Sequence, residues 1–365
     1  MKEKAYSFAR KLEDAYLDAV VLFDPMSFWH LTGTSMADAC IVTMDRDFSF
    51  IVQPGLLDHT KQETWIKNLK EYFPFSLSRS KSYDVSGLFQ CVAQEIRDLG
   101  LARGRIGLDE TRTPRYLSTA LAKLLPSFCF EDSFEFINEA LGVNTPGEIQ
   151  LLRKAAKIAD VGAKVALESS DVGKRECEVA AEAAKAMLTM GADRLHMGGI
   201  QVLSGTRSSC TWSFASDKLI KEGEVVQIDF SPIFEGCISD ISRIKVVGSP
   251  QTEHLKVFNA VLEANRAAVS AVRAGVKASE VDSAAREVID KAGYAGLFTH
   301  HTGHPIGTIY GPSITPGSKT ILREGHAFSI EPGIYLPKFG IRIEDDVVVT
   351  KDGVEVLTKC ERTII

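Results

Sequence analysis

Through the first third of the chain, short runs of aliphatic and β-branched residues alternate with segments whose apolar residues recur at helical spacing. Residues 17–25 (LDAVVLFDP) and 39–54 (ACIVTMDRDFSFIVQP) are dense in apolar side chains and end in Asp-Pro and Gln-Pro, which predicts strands of a sheet covered on both faces. Leu88, Val92, Ile96 and Leu99 lie on one helix face, and Gly100 supplies the stop. Residues 105–110 (RIGLDE) predict a further strand. Residues 1–136 therefore read as an α/β module.

Beyond residue 139 the pattern becomes that of long amphipathic helices. In NTPGEIQLLRKAAKIADVGAKVALE, Thr145 is placed to cap, Pro146 fits the first helical position and Glu148 stands three residues after the cap, an arrangement that satisfies orphan N–H groups at a helix start. A turn at 171–173 separates this helix from a second at 174–192. The same long-then-short pair returns at 254–275 and 277–296, and Glu178-Val179 and Glu280-Val281 fall 102 residues apart in its shorter member. Carboxylate-rich, strand-like segments follow each pair. The predicted fold is α+β, with residues 137–365 a pseudo-duplicated domain of two helix-pair-plus-sheet halves. Two unrelated helical hairpins of ordinary composition would give a similar pattern.

Length and composition narrow the function classes. The 365 residues, 45% hydrophobic and 25% charged, suffice for two domains that each bury a core. With 42 basic against 48 acidic side chains the net charge is −6, so no basic face suited to nucleic acid is expected. No apolar run approaches the ~18–20 residues of a membrane span. The N-terminal segment, with Glu13, Asp14 and Asp18 ahead of its short apolar run at 19–23, does not read as a signal peptide. The seven cysteines are scattered without CxxC spacing, which predicts reduced thiols and a cytoplasmic protein.

Two later segments carry the candidate chemistry. Residues 224–248 (EVVQIDFSPIFEGCISDISRIKVVG) read as two strands around a turn at 233–236, with Asp229 and Asp240 equidistant from the turn centre. A regular hairpin would oppose them with Cβ atoms ~4.5–5.5 Å apart. Like charges so placed repel unless they share a proton or a cation. Residues 326–350 repeat the design, with Glu331 and Glu344 equidistant from a turn at 335–340. Asp345 and Asp346 have no such partner and read as a solvated acidic pair. Four carboxylates could hold two divalent ions at the ~3.5–4 Å spacing of hydrolytic dimetal sites. A nitrogen donor is available in FTHHTGHPIGT, residues 298–308, where Gly303 and Gly307 let the backbone curve around His304. Gly303 and Pro305 break helical continuity, which disfavours a helical pair of histidine ligands. His300 and His301 share the loop, and a polar loop of solvated imidazoles is the plainer alternative.

Asp229, Asp240, His304, Glu331 and Glu344, in this order within IDF, SDISR, HHTGHPIG, SIEPGIY and IRIED, resemble the pita-bread metallopeptidases, the family of prolidase, aminopeptidase P and methionine aminopeptidase. The stretch LDAVVLFDPMSFWHLTG is similar to the creatinase-type N-terminal domain of prolidase and aminopeptidase P. The resemblance implies a creatinase-like domain at 1–136 and a pita-bread catalytic domain at 137–365. It implies two divalent cations, Mn²⁺ foremost with Co²⁺, Zn²⁺ or Fe²⁺ as alternatives. Asp229 would serve one ion, His304 and Glu331 mainly the other, and Asp240 and Glu344 both. By the same resemblance a shared hydroxide attacks the substrate carbonyl, Glu331 moves its proton, and His300 and Arg342 are secondary active-site residues.

Two positions depart from the family pattern. Trp212 stands where the peptidases carry a histidine in a stretch such as PHGVPSD, and Tyr310 stands at or beside a second, in a stretch such as EIHE. Trp212 is thereby expected in the substrate pocket and Tyr310 among the catalytic groups, with a weakened preference for proline. The implied function is a metal-dependent peptidase of the Xaa-Pro dipeptidase or aminopeptidase type, acting on small peptides as a homodimer. The alternative is a non-peptidase hydrolase or lyase of a small amide. A non-catalytic binding protein is disfavoured by the complete ligand set, and neither nucleic acid nor membrane is an expected partner.

Overall fold

A computed structural model describes residues 1–72 and 86–364. The chain divides into two compact units, Met1–Leu141 and Gly142–Ile365. The first unit contains α1 (Lys2–Asp14), β1 (Ala19–Leu22), α2 (Pro25–Thr32), β2 (Ala39–Thr43), β3 (Phe48–Val52), α3 (Leu57–Glu63), β4 (Asn68–Glu71), α4 (Ser86–Asp98), β5 (Gly104–Leu108), α5 (Arg115–Leu124), β6 (Phe128–Asp132) and α6 (Phe134–Leu141). It extends beyond residue 136 because Phe136 of α6 packs against Phe8 of α1, ring centroids 5.4 Å apart.

The six strands form one mixed sheet in the order β4-β3-β2-β1-β5-β6. β1, β2 and β3 are buried along their whole length, which is why their sequences are apolar runs rather than alternating ones. The run at 39–54 is two antiparallel strands, joined by a turn in which Arg46 takes a φ of 71°. After β1, Asp24 caps α2 by accepting from the Met26 N–H at 2.9 Å, and Pro25 occupies the first turn. Val92 and Ile96 of α4 pack on Val21, Ile41 and Ile106 of the sheet, as their helical spacing predicts.

The second unit contains α7 (Pro146–Ser169), α8 (Glu176–Thr189), β7 (Arg194–Ser204), β8 (Val225–Phe234), β9 (Cys237–Ile238), β10 (Ile241–Val246), α9 (Thr252–Ala271), α10 (Ala278–Lys291), β11 (Ala327–Ile330), β12 (Gly333–Tyr335), β13 (Gly340–Arg342), β14 (Asp345–Thr350) and β15 (Gly353–Val356). α7 opens with a capping box: Thr145 Oγ1 accepts from the Glu148 N–H at 3.2 Å, and the Glu148 carboxylate from the Thr145 N–H at 2.7 Å. The duplication is visible in the backbone. Glu178 and Glu280 reach back to the N–H groups of Arg175 and Lys277, at 2.8 and 3.2 Å. The isolated bridges Arg175↔Leu219 and Lys277↔Ile321 repeat at the same spacing.

Strands β10, β8 and β7, with β9 also paired to β8, form one sheet, β11, β14 and β15 a second, and β12 and β13 a separate ladder. Val226, Ile228 and Phe230 of β8 pack with Ile158, Ala163 and Val179 of the first helix pair. Phe328, Ile330 and Val347 pack with Val257, Val261 and Val281 of the second. The helices thus take one face of each sheet, and the pleat of β8 turns Asp229 and Ser231 to the other.

Candidate metal centre

The two carboxylate hairpins converge, but only one has the expected register. In the second, Ile330↔Asp345 and Gly333↔Arg342 are paired, so Glu331 and Glu344 are opposed across the gap between two ladders. In the first, Asp229 pairs with Ser242 and Phe230 with Ile241. The tight turn there is Glu235-Gly236, at φ 44° and 74°, one residue later than the spacing of the aspartates suggests. Asp240 therefore accepts from Ser231 at 2.9 Å and lies diagonal to Asp229. A two-residue change of pairing preserves the face, so both aspartates still point into one cleft.

That cleft, of about 310 Å³, is lined by Asp229, Asp240, His304, Glu331 and Glu344 together with His300, His301, Arg342 and Trp212. His304 Nε2 lies 3.5 Å from Asp240 and from Glu331 and 3.9 Å from Glu344. Its Nδ1 donates to the Pro305 carbonyl at 3.0 Å, which turns Nε2 toward the acids. The approach needs Gly303, where a Cβ would stand 1.8 Å from the Ser329 carbonyl oxygen. Thr302 is tied to Asp282 of α10 at 2.7 Å, and Arg286 donates to the Phe298 and His300 carbonyls at 2.9 and 2.6 Å, so α10 anchors the histidine loop. Asp240, His304 and Glu344 offer ligand atoms within 4.8 Å of one another, as do His300, His301 and Glu331.

The charges of this cluster call for compensation. Burial, then the Asp240 charge, push the Asp229 carboxyl up to about 8, and burial with Asp240 and Glu331 drives Glu344 well above the carboxylate range. Against the cost of burial, Asp240 and Glu331 hold the His304 imidazole up at about 10. Glu331, also against burial, is kept down at about 2 by its hydrogen bond with His301 at 3.0 Å and by the other imidazoles. The cluster thus lacks positive charge for its acids. Divalent cations would supply that charge while leaving every donor deprotonated, so this oxygen-rich set with imidazole nitrogen fits them.

Around the acids lies a set of orienting groups. Arg342 contacts Asp229 through Nη2, donates through Nε to Ser242 at 2.9 Å, and through Nη1 to the Thr211 carbonyl at 2.7 Å and the Tyr335 hydroxyl at 3.2 Å. Ser242 in turn donates to Glu344 at 2.8 Å. His300 donates from Nδ1 to the His301 carbonyl at 2.8 Å and accepts at Nε2 from Tyr335, 2.7 Å away. Burial pushes its pKa down to about 4, so it is neutral. Ser231, Ser242 and Tyr335 escaped the sequence reading, although stepping by two from Asp229, Asp240 and Glu331 reaches each of them on the same strand face.

Two expectations fail. Asp345 and Asp346 are fully buried rather than solvated: Asp345 pairs with Arg243 and Arg362, both at 2.8 Å, and Asp346 accepts from Ser239 and from the Asp240 N–H. Tyr310 is fully buried and is not among the residues that line the cleft. Trp212 does line the cleft, 56% exposed, with its ring 4.8 Å from that of Phe214. Its loop is pinned by the buried Glu176, which accepts from Ser204, Arg207 and Ser216 at 2.7–3.1 Å.

Comparison with known proteins places this geometry. Residues 150–351 match the model of metallopeptidase family M24, and residues 6–140 match that of the creatinase/prolidase N-terminal domain. The chain is 32% identical over 373 residues to an Xaa-Pro dipeptidase of Pyrococcus furiosus, covering 100% of both. Its fold is similar to the crystal structure of the prolidase from Pyrococcus horikoshii OT3, with TM-score 0.86, 29% identity and 100% of both chains covered. It is also similar to that of an X-Pro aminopeptidase from Thermotoga maritima, with TM-score 0.86, 28% identity and 99% of each covered.

Proposed function

The chain belongs to metallopeptidase family M24 and is a metal-dependent peptidase, and from this premise we propose that its substrates are short peptides of the Xaa-Pro class, dipeptides first. The observation that carries the reading is the meeting of Asp229, Asp240, His304, Glu331 and Glu344 in one cleft. These five residues would hold the divalent ions. Bound there, the pair of ions would acidify a water and polarise the scissile carbonyl. Glu331 accepts the proton of the attacking water and passes it to the leaving amine nitrogen. His300, held neutral between Tyr335 and the His301 carbonyl, can exchange a hydrogen bond with substrate without changing the charge of the site. Arg342, fixed at Thr211 and Ser242, holds Asp229 in place.

Trp212 gives the cleft an apolar wall that suits a pyrrolidine ring, but an indole cannot supply the charged donor an imidazole would. The oxygen-rich donor set favours Mn²⁺ over thiophilic ions. The free cysteines support a reducing, cytoplasmic setting, and the family resemblance supports a homodimer, which light scattering measures. The test is a panel of Xaa-Pro dipeptides, Xaa-Pro-Yaa tripeptides, non-proline dipeptides and small amides, assayed after chelation and Mn²⁺ reloading. Turnover of Xaa-Pro dipeptides that chelation abolishes and Mn²⁺ restores is expected. Activity surviving full chelation, or confined to the amides, overturns the reading.

A further inference from the structure

One buried side chain outside the cleft touches both strands that carry the glutamates. Asn265 lies on α9 and is fully buried. Its Nδ2 donates to the Ile330 carbonyl at 3.1 Å and to the Ile343 carbonyl at 3.4 Å, the residues immediately before Glu331 and Glu344. Both carbonyls fall where the hairpin is interrupted, between the last pair of β11–β14 and the first of β12–β13. In that gap the Glu331 N–H leaves the hairpin for the Thr302 carbonyl at 2.8 Å, and the Glu344 N–H for the Ser242 carbonyl at 3.1 Å. One backbone bond crosses the gap, from the Ile343 N–H to the Pro332 carbonyl at 3.4 Å, and Pro332 has no N–H to return it, so strand pairing holds the two glutamates only weakly.

A peptide unit is planar, so holding the Ile330 and Ile343 carbonyls fixes the planes from which Glu331 and Glu344 depart. Among neutral side chains only Asn and Gln offer two N–H donors on one atom. Stability alone does not account for the amide, because Asn265 Oδ1 is buried without a hydrogen-bond partner among the described residues, an arrangement that costs free energy. The first half supplies the contrast. The position 102 residues earlier on α7 is Ala163, packed in the apolar core, and there the positions equivalent to Glu331 and Glu344, Asp229 and Ser242, are themselves a ladder pair.

We infer that Asn265 is a positioning residue, a two-pronged clamp that sets the separation of Glu331 and Glu344 and through it the affinity for metal; this rests on reading those glutamates as ligands. The experiment compares wild type, Asn265→Ala, Asn265→Asp and, as a control on the centre itself, Glu344→Ala. Each is stripped of metal, titrated with Mn²⁺ and assayed on an Xaa-Pro dipeptide, with unfolding of the metal-free protein followed in parallel. Groups that orient metal ligands are worth about 10–100-fold in affinity. Both Asn265 variants are expected to bind Mn²⁺ weaker by that factor and to lose kcat with KM little changed. Asp keeps the volume but sets a buried carboxyl against two carbonyl oxygens, so metal-free Asn265→Asp should also unfold earlier than wild type, and the deciding readout is the Mn²⁺ affinity of the folded variant. Wild-type Mn²⁺ affinity in Asn265→Asp, when Glu344→Ala has lost its metal, overturns the clamp. If Glu344→Ala also binds Mn²⁺ like wild type, the reading of the metal centre falls instead. Failure of both Asn265 variants to fold overturns the clamp too, since it makes the residue an element of stability.

Discussion

The two carboxylate hairpins of the second unit present acids to the same cleft on different backbones. The first is paired through Asp229 and Phe230, breaks at Ser239-Asp240 between β9 and β10, and resumes up to a two-residue turn. The second is interrupted where its glutamates sit. In the first, strand pairing places Asp229, while Asp240 sits in the break with its N–H held by the Asp346 carboxylate at 3.1 Å. In the second, placement falls to side chains: the neighbouring Ser329, which donates to Glu331 at 3.3 Å, and from far along the chain Ser242 on Glu344 and the Asn265 amide behind both. A ladder positions a residue through its neighbours in sequence, whereas a gap in a ladder must be spanned by side chains from elsewhere in the fold.

The comparison is tested most severely by removing the acids themselves. Asp240→Ala and Glu344→Ala should each lose both ions and fall to background activity, whereas Asp229→Ala should lose one, counted by elemental analysis after Mn²⁺ loading and desalting. Equal retention in all three would end the idea that one acid of each hairpin is shared. Next in size is Asp345→Asn, which leaves the buried Arg243 without the carboxylate it meets at 2.8 Å. Breaking a buried pair this way costs about 3–5 kcal/mol, read from urea unfolding. A change within experimental error would mean that the second hairpin does not lean on its distant partners.

Trp212 probes the open side of the first hairpin, since Gln201 donates to Asp229 at 3.1 Å and accepts from the Ser213 N–H at 3.1 Å. One preorganised donor is worth ~10²–10³ in turnover. Trp212→His should therefore raise kcat on Xaa-Pro substrates toward that factor while leaving non-proline dipeptides unchanged. Wild-type turnover already near ~10 s⁻¹, with no gain in the variant, would show that no donor is missing. The smallest effects separate the serines. Ser242 supports Glu344 and Arg342, whereas Ser231 supports Asp240. Ser242→Ala should weaken Mn²⁺ binding toward the upper end of ~10–100-fold and Ser231→Ala toward the lower, and the reverse order would show that the first hairpin is the more dependent one.

The starts of the long helices, the repeat of helix pairs and the carboxylate faces were legible in the sequence because each is a local periodicity. Thr145 and Glu148 are three residues apart and close their own capping box, and Glu331 and Glu344 stand in the register their spacing predicts. The turn of the first hairpin was misplaced by one residue, because Glu235 and Gly236 alone adopt the left-handed conformation, and face parity hid the consequence. Tyr310 is expected among the catalytic groups only because it stands at or beside the family's second histidine, and a position in a motif does not say which side of the loop meets the cleft.

The fate of Asp345 and Asp346 marks the boundary most clearly. Two adjacent acids beside a strand carry no sign of what will neutralise them, and their partners Arg243 and Ser239 come from 102 and 107 residues away. Alternation along each strand, by itself, determined which side chains share a face. Only the tertiary structure decided which faces meet, because the cation, hydroxyl or amide that makes a buried acid tolerable is supplied by whichever distant segment packs against it.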